Sequence, residues 1–140
     1  MRFWDSSAVV PLICDEEVSS KALALYRQDT QVLVWALTAT EVISALCRRF
    51  RDGSMSRLEF RKSRQALQLL GKDWTEVQAL ELVRERAHRL LEIHPLRTAD
   101  ALQLGSALVA TEDRPHGFGM VAFDAALADA AEKEGFTVIP

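Results

Sequence analysis

The chain has 140 residues, 49% of them hydrophobic and 26% charged, a balance that indicates one globular domain and excludes a disordered chain. Its formal net charge of -3 excludes a protein that binds nucleic acid through bulk positive charge, so any contact with RNA must be local. No apolar run is long enough to span a bilayer, and Asp5 stands where a signal peptide needs apolar residues, so we expect a cytoplasmic protein without a membrane partner.

Short apolar strands alternate along the chain with longer helical segments. Apolar periodicity, with Gly and Pro at the breaks, predicts both kinds of element. In chain order they are a strand at 2–4, helices at 6–14 and 18–28, a strand at 31–35, helices at 38–51, 54–70, 75–91 and 98–111, a strand at 119–123, a helix at 125–134 and a strand at 136–139. This order predicts a single domain over residues 1–140 with an α/β fold, in which helices cover both faces of a parallel sheet of about four to five strands.

Four carboxylates occupy positions where an open α/β sheet binds ligands. Such sheets bind beyond the carboxyl ends of their strands. Asp5 and Asp124 directly follow predicted strands, and Glu41 lies one turn into the helix after the second strand. Asp100 lies in the first turn of an apolar helix, which can point to the same edge. The four acids are therefore candidates for one site.

Each acid also has a purely structural interpretation. Asp5 and Asp124 are suited to cap helices, and Asp100 would stabilise a helix from its first turn. Thr38 and Glu41 match the capping-box pattern. If the acids converge, however, their mutual repulsion requires either protonation or a bound cation. Hard oxygen ligands select Mg²⁺ or Mn²⁺, and such an ion supports phosphodiester hydrolysis.

Four segments of the chain also carry a family resemblance. In order they are FWDSSA at residues 3–8, TEVISAL at 40–46, HPLRTADALQL at 94–104 and FDAAL at 123–127. Together they resemble the PIN domain, specifically the VapC-like toxins of type II toxin–antitoxin systems, over nearly the whole chain. The resemblance implies a single PIN-like domain with a three-layer α/β/α fold and an endoribonuclease that needs Mg²⁺ or Mn²⁺. It also implies an RNA substrate, a cognate antitoxin partner and a homodimer.

The resemblance assigns roles to particular residues. It carries the metal-site and catalytic roles onto Asp5, Glu41, Asp100 and Asp124. Ser6 matches the hydroxyl residue after the first acid, which positions that acid or a metal-bound water. One position departs from the pattern, because the family often has Thr or Ser two residues before the fourth acid, where this chain has Ala. That departure leaves the placement of Asp124, and a second metal ion, open.

Basic and aromatic residues offer further candidates for RNA contacts. Arg97, three residues before Asp100, is the candidate for a phosphate contact. A run of basic residues is either a solvated face or a phosphate-steering patch: Arg48, Arg49, Arg51, Arg57, Arg61, Lys62 and Arg64. Trp4 and Trp35 lie in apolar strands and are predicted to be core, whereas Trp74 either packs or stacks on bases.

Two other functions compete with a nuclease. The chain could be a non-catalytic PIN-like module that binds RNA or protein, with its acids serving as helix caps and partner contacts. It could also be a phosphatase in which Asp5 is the nucleophile. That chemistry wants a second carboxylate two residues later, where the chain has Ser7, so the phosphatase is disfavoured.

Overall fold

The computed structural model describes all 140 residues and contains a central sheet of five parallel strands. The strands are β1 (Arg2–Trp4), β2 (Val32–Trp35), β3 (Thr75–Val77), β4 (Gly119–Val121) and β5 (Thr137–Ile139). Their order across the sheet is β3-β2-β1-β4-β5, and every neighbouring pair is parallel. The first strand of the chain therefore lies at the centre of the sheet.

Seven helices accompany the sheet. They are α1 (Ser6–Ile13), α2 (Ser19–Gln28), α3 (Thr38–Arg51), α4 (Arg57–Gly71), α5 (Leu80–Ile93), α6 (Thr98–Ala110) and α7 (Ala125–Glu134). Helix α7 ends at Gly135, whose φ of 104° is the left-handed conformation that glycine adopts at low cost. None of these helices combines the length and the apolar character needed to cross a membrane.

The two faces of the sheet support two separate apolar clusters. Successive side chains of a strand point to opposite faces, so neighbours in sequence enter different clusters. Phe3 and Met120 pack with α5, α6 and α7, whereas Trp4 and Val121 pack with α1, α3 and α4. Helices therefore lie on both faces, which confirms the predicted three-layer α/β/α fold class.

The predicted helix at 75–91 is wrong at its start. Thr75–Val77 is strand β3, which pairs with β2 so that Leu33 lies opposite Thr75 and Trp35 opposite Val77. Helix α5 begins only at Leu80. The apolar positions of the segment fit a helical period, but Thr75 and Val77 are β-branched and alternate with a polar residue, which suits an edge strand.

Other boundaries also differ from the prediction. Helix α4 begins at Arg57 rather than at residue 54, because the Ser56 hydroxyl accepts the Glu59 amide while the Glu59 carboxylate accepts the Ser56 amide. Strand β4 ends at Val121 rather than at residue 123. Asp124 is therefore separated from the strand by two residues and becomes the N-cap of α7.

Candidate functional site

A cleft at the carboxyl edge of the sheet is lined by all four acids singled out in the sequence. Two of them follow strands: Asp5 comes after β1 and Asp124 in the loop after β4. The other two, Glu41 and Asp100, lie in the first turns of α3 and α6. The cavity volume is about 530 Å³, which lies within the range of small-molecule sites. The fold thus gathers carboxylates that are far apart in the chain.

Asp5 is fixed by its position directly after the central strand. Its backbone amide donates to the Val121 carbonyl at 3.0 Å, and its Oδ2 accepts the Ser7 amide at 3.0 Å, which makes it the N-cap of α1. The residue is only 3% exposed. Burial raises the pKa of Asp5, hydrogen bonds from Ser7 and Ser6 oppose that rise, and the Asp100 carboxylate adds to it.

Glu41 points into the cleft and does not cap its helix. The N-cap of α3 is Leu37, which has no side-chain bond, and the Thr38 hydroxyl accepts the Trp35 amide instead. The capping-box interpretation of Glu41 is therefore wrong. Glu41 Oε2 accepts the Ser6 hydroxyl at 2.9 Å. Burial raises the pKa of Glu41, hydrogen bonds from Ser6 and Gln103 lower it, and the nearby charges of Asp5 and Asp100 raise it further.

Asp100 is the third acid of this electrostatic group. It lies in the first turn of α6, its side chain is 16% exposed, and it raises the pKa of both Asp5 and Glu41. Arg97 Nε lies 3.5 Å from Asp100 Oδ2, and the Arg97 side chain is 85% exposed. The proposed phosphate contact therefore lies at the mouth of the cleft beside an acid.

Asp124 lines the cleft but is held separately from the other three acids. Its Oδ1 accepts the Leu127 amide at 2.9 Å, as expected of the N-cap of α7. Ala122 is fully buried and brings no hydroxyl to this segment. Instead, the Ser7 hydroxyl accepts the amides of Phe123 and Asp124 at 2.9 and 3.3 Å. Ser7 thus connects Asp124 to α1, the helix that Asp5 caps.

Two side chains that support the site were missed from the sequence. In the sequence, Ser7 stands out only because a phosphatase would have a carboxylate at its position. A hydroxyl two residues after Asp5 is nevertheless well placed to form a hydrogen bond with the end of a neighbouring strand. Gln103 is fully buried, and its Nε2 donates to Thr38 Oγ1 at 3.2 Å, which links α6 to the start of α3. A Gln within an apolar helix was the available signal, because a buried amide needs partners.

The donor chemistry of the cleft fits a hard divalent cation. As they stand, no three His, Cys, Asp or Glu side chains form a group that could hold a metal ion. Asp5 is nevertheless buried and Glu41 half-buried, and the charge of Asp100 raises the pKa of both, while the charge of Asp5 also raises that of Glu41. A divalent cation relieves that repulsion, and all of its ligands here would be oxygens.

The run of basic residues divides between different surfaces. Only Arg48 and Arg49 of that run line the acidic cleft. Arg57 stacks over the Phe50 ring at 5.5 Å, and Arg64 lines a second cavity beside Trp74. A single phosphate-steering patch is therefore not formed.

The tryptophans have structural positions. Trp4 and Trp35 are 0% and 2% exposed, which confirms them as core residues. Trp74 is half-buried, and its Nε1 donates to Glu76 at 3.1 Å. None of the three lines the acidic cleft.

Comparisons with known proteins point to one family. A family model described as PIN domain matches residues 2–133. Ribonuclease VapC45 and Ribonuclease VapC49, both from Mycobacterium tuberculosis, are each 29% identical over 138 residues, which is 99% of this chain and 94% of the relative.

Two solved structures have a similar fold. One is a toxin–antitoxin complex from Klebsiella pneumoniae, with a TM-score of 0.65 at 15% identity. The other is FitAcB from Neisseria gonorrhoeae, with a TM-score of 0.69 at 12% identity. Each match covers 100% of this chain and 97% of the other.

Proposed function

The chain belongs to the PIN-domain family, and on that premise we propose that it is a metal-dependent endoribonuclease, the toxin of a toxin–antitoxin pair. The observation that carries the proposal is the convergence of Asp5, Glu41 and Asp100, from three separate elements, in one cleft where their charges interact. A charged, partly buried cluster of this kind at the carboxyl edge of an α/β sheet is typical of a functional site.

Six residues of the cleft have a part in the proposed reaction. Asp5, Glu41 and Asp100 would hold a Mg²⁺ or Mn²⁺ ion, with Asp124 as the fourth ligand. The bound ion would supply activation of water and stabilisation of the charge that develops on the phosphate. Ser6 orients the Glu41 carboxylate through its hydroxyl, and Arg97, at the mouth of the cleft, would contact an RNA phosphate.

The relatives support the substrate and the partner. The two curated relatives are named ribonucleases, and this chain covers nearly all of their length. One structural neighbour is titled a toxin–antitoxin complex, which supports a cognate antitoxin for this chain. A homodimer and a cytoplasmic location belong to the same proposal.

The test is cleavage of RNA by the purified chain and by two isosteric variants. Asp5→Asn keeps a good N-cap residue, and Asp100→Asn keeps the volume of the side chain in the first turn of α6. We expect both to lower cleavage in Mg²⁺ or Mn²⁺ by roughly 10²-fold or more while the fold is retained. The matched control is Asp129→Asn on α7, whose carboxylate pairs with Lys133 at 2.7 Å outside the cleft. Full activity in both cleft variants would exclude this site.

The second candidate is a non-catalytic PIN-like module that binds RNA or protein. It is favoured by two observations: Asp5 and Asp124 both cap helices, and no ready-made metal cluster is present. Thermal unfolding with and without Mn²⁺ separates the two functions. At an ion concentration 100-fold above Kd the nuclease should gain about 2.7 kcal/mol of stability, whereas the module should gain none.

A further inference from the structure

The cleft is lined by arginine side chains as well as by carboxylates. Arg48, Arg49 and Arg97 all line it. Arg49 pairs with Glu16, and Arg97 lies beside Asp100. Arg48 is exposed and takes part in none of the ion pairs of the structure. It is therefore the arginine of the cleft that has no carboxylate partner.

Arg48 stands on the same helix face as Glu41. Glu41, Ser44, Ala45 and Arg48 have the spacing of neighbours along one face of α3, and all four line the cleft. Seven residues of helix rise by about 10.5 Å, so Arg48 lies towards the far end of the cleft from the acids. The two side chains between them are small and leave the surface of α3 open along this path.

We propose that Arg48 binds a backbone phosphate of single-stranded RNA, next along the strand to the phosphate that is cleaved. This inference rests on the proposed function and adds a substrate contact to it. The chain has a net charge of -3, so a phosphate that lies beyond the proposed metal ion needs a positively charged side chain of its own. A guanidinium suits a phosphate because its donors form a planar fork.

The volume of the cleft suits a short piece of one strand. A volume of about 530 Å³ accommodates a ligand of small-molecule size, which corresponds to a short piece of a single strand. Asp52, at the end of α3, is the nearby exposed carboxylate. The charge of Arg48 is the smallest of the causes that lower the pKa of Asp52, and the two side chains form no ion pair. The guanidinium is therefore free to turn towards the cleft.

The experiment compares Arg48→Gln with Arg51→Gln, which removes the same charge from the same helix at an exposed position outside the cleft. Binding of a fluorescent oligoribonucleotide is measured against NaCl concentration, with Asp100→Asn present in every chain to prevent cleavage. We expect Arg48→Gln to weaken binding roughly two- to fivefold. The slope of log affinity against log salt should fall by about 0.7, the value for one phosphate of a single strand. Arg51→Gln should change neither quantity.

A dinucleoside monophosphate provides a second measurement. Its single phosphate would lie at the acids, out of reach of Arg48. Its inhibition constant, obtained by competition and corrected for the affinity of the oligoribonucleotide, should therefore be the same in Arg48→Gln and in the unchanged chain. Equal affinities and salt slopes for Arg48→Gln and Arg51→Gln would overturn the inference, even if the wild-type chain cleaves RNA. If the wild-type chain cleaves no RNA, but Arg48→Gln and not Arg51→Gln lowers the salt slope, the proposed catalysis is refuted and the phosphate site is retained.

Discussion

Replacing Glu41 by Gln should stabilise the metal-free protein at alkaline pH. Ser6 Oγ lies 2.9 Å from Glu41 Oε2 and 3.5 Å from Asp5 Oδ1. The two carboxylate oxygens are thus separated by at most the sum of these distances, about 6.4 Å, and at an effective dielectric constant of about 20 two charges at that distance repel by about 2.6 kcal/mol. Gln keeps the acceptor for Ser6 and removes the charge.

The sign of the pH dependence follows from the raised pKa values of Asp5 and Glu41. A carboxyl group whose pKa is higher in the folded than in the unfolded state stabilises the fold fully below its ordinary pKa. That contribution is lost as pH rises through the folded-state pKa. The stability that Asp5 and Glu41 contribute to the wild-type chain should therefore fall from acidic to alkaline pH, and Glu41→Gln should lose less of it.

The assay is urea unfolding in EDTA at pH 5 and pH 8. At pH 8 we expect Glu41→Gln to raise the free energy of unfolding by about 1–3 kcal/mol, with a smaller difference at pH 5. Each kcal/mol corresponds to roughly 3 °C in Tm for a chain of this size. The control is Glu92→Gln on α5, an exposed glutamate in none of the ion pairs.

Added Mn²⁺ should reverse the order of the two proteins. It should stabilise the wild-type chain and have less effect on Glu41→Gln, because the variant has lost one of the proposed ligands. The reasoning is refuted if Glu41→Gln is no more stable than the wild-type chain at pH 8 in EDTA while Glu92→Gln is unchanged. That result would mean that the repulsion inferred from the Ser6 contacts is absent.

The remaining predictions concern the supports of the site and of the fold. Ser7→Ala removes the hydroxyl that accepts the Asp124 amide, so it should lower the free energy of unfolding by about 1–3 kcal/mol and weaken Mn²⁺ binding. Ser7→Thr should restore both quantities, and unchanged Mn²⁺ affinity in Ser7→Ala would contradict this prediction. Burial opposes ionisation of Glu134, but its hydrogen bonds with Arg89 and His94 outweigh it and lower the pKa. Glu134→Gln should therefore destabilise the protein at pH 7 in urea unfolding by about 1–3 kcal/mol, and the difference should disappear in acid as Glu134 is protonated in the wild-type chain. A loss that is the same at every pH would show that the charge of Glu134 is not involved.

The fold class could be predicted from the sequence because both faces of the sheet are buried by long, strongly periodic helices. Strand β3 could not, because three residues carry too little periodicity to compete with the helical pattern that follows them. Only its pairing with β2 distinguishes Thr75–Val77 from the first turn of a helix. Short edge strands of this kind are decided by tertiary contacts that a local pattern does not contain.

The gathering of the four acids in one cleft could be predicted from the sequence, but the hydrogen bonds that hold their backbone and neighbours could not. Charged residues at strand ends and in apolar helices are visible in a sequence, because an unpaired charge there is costly. The bonds from Ser7 to the amide of Asp124 and from Gln103 to Thr38 connect residues that are 117 and 65 positions apart. The departure at Ala122 leaves the placement of Asp124 open in the sequence, whereas in the structure the hydroxyl that holds its backbone is that of Ser7.

The choice between helix cap and ligand, which the sequence leaves open for Asp5 and Asp124, is not a choice in three dimensions. A carboxylate has two oxygens, and a cap needs only one. Asp5 caps α1 with Oδ2, while its Oδ1 faces the Ser6 hydroxyl in the cleft. Asp124 caps α7 with Oδ1, which leaves Oδ2 for a ligand. The hydrogen bond of the cap fixes the direction of the second oxygen. The bond that starts the helix therefore also orients the oxygen that is proposed as a metal ligand.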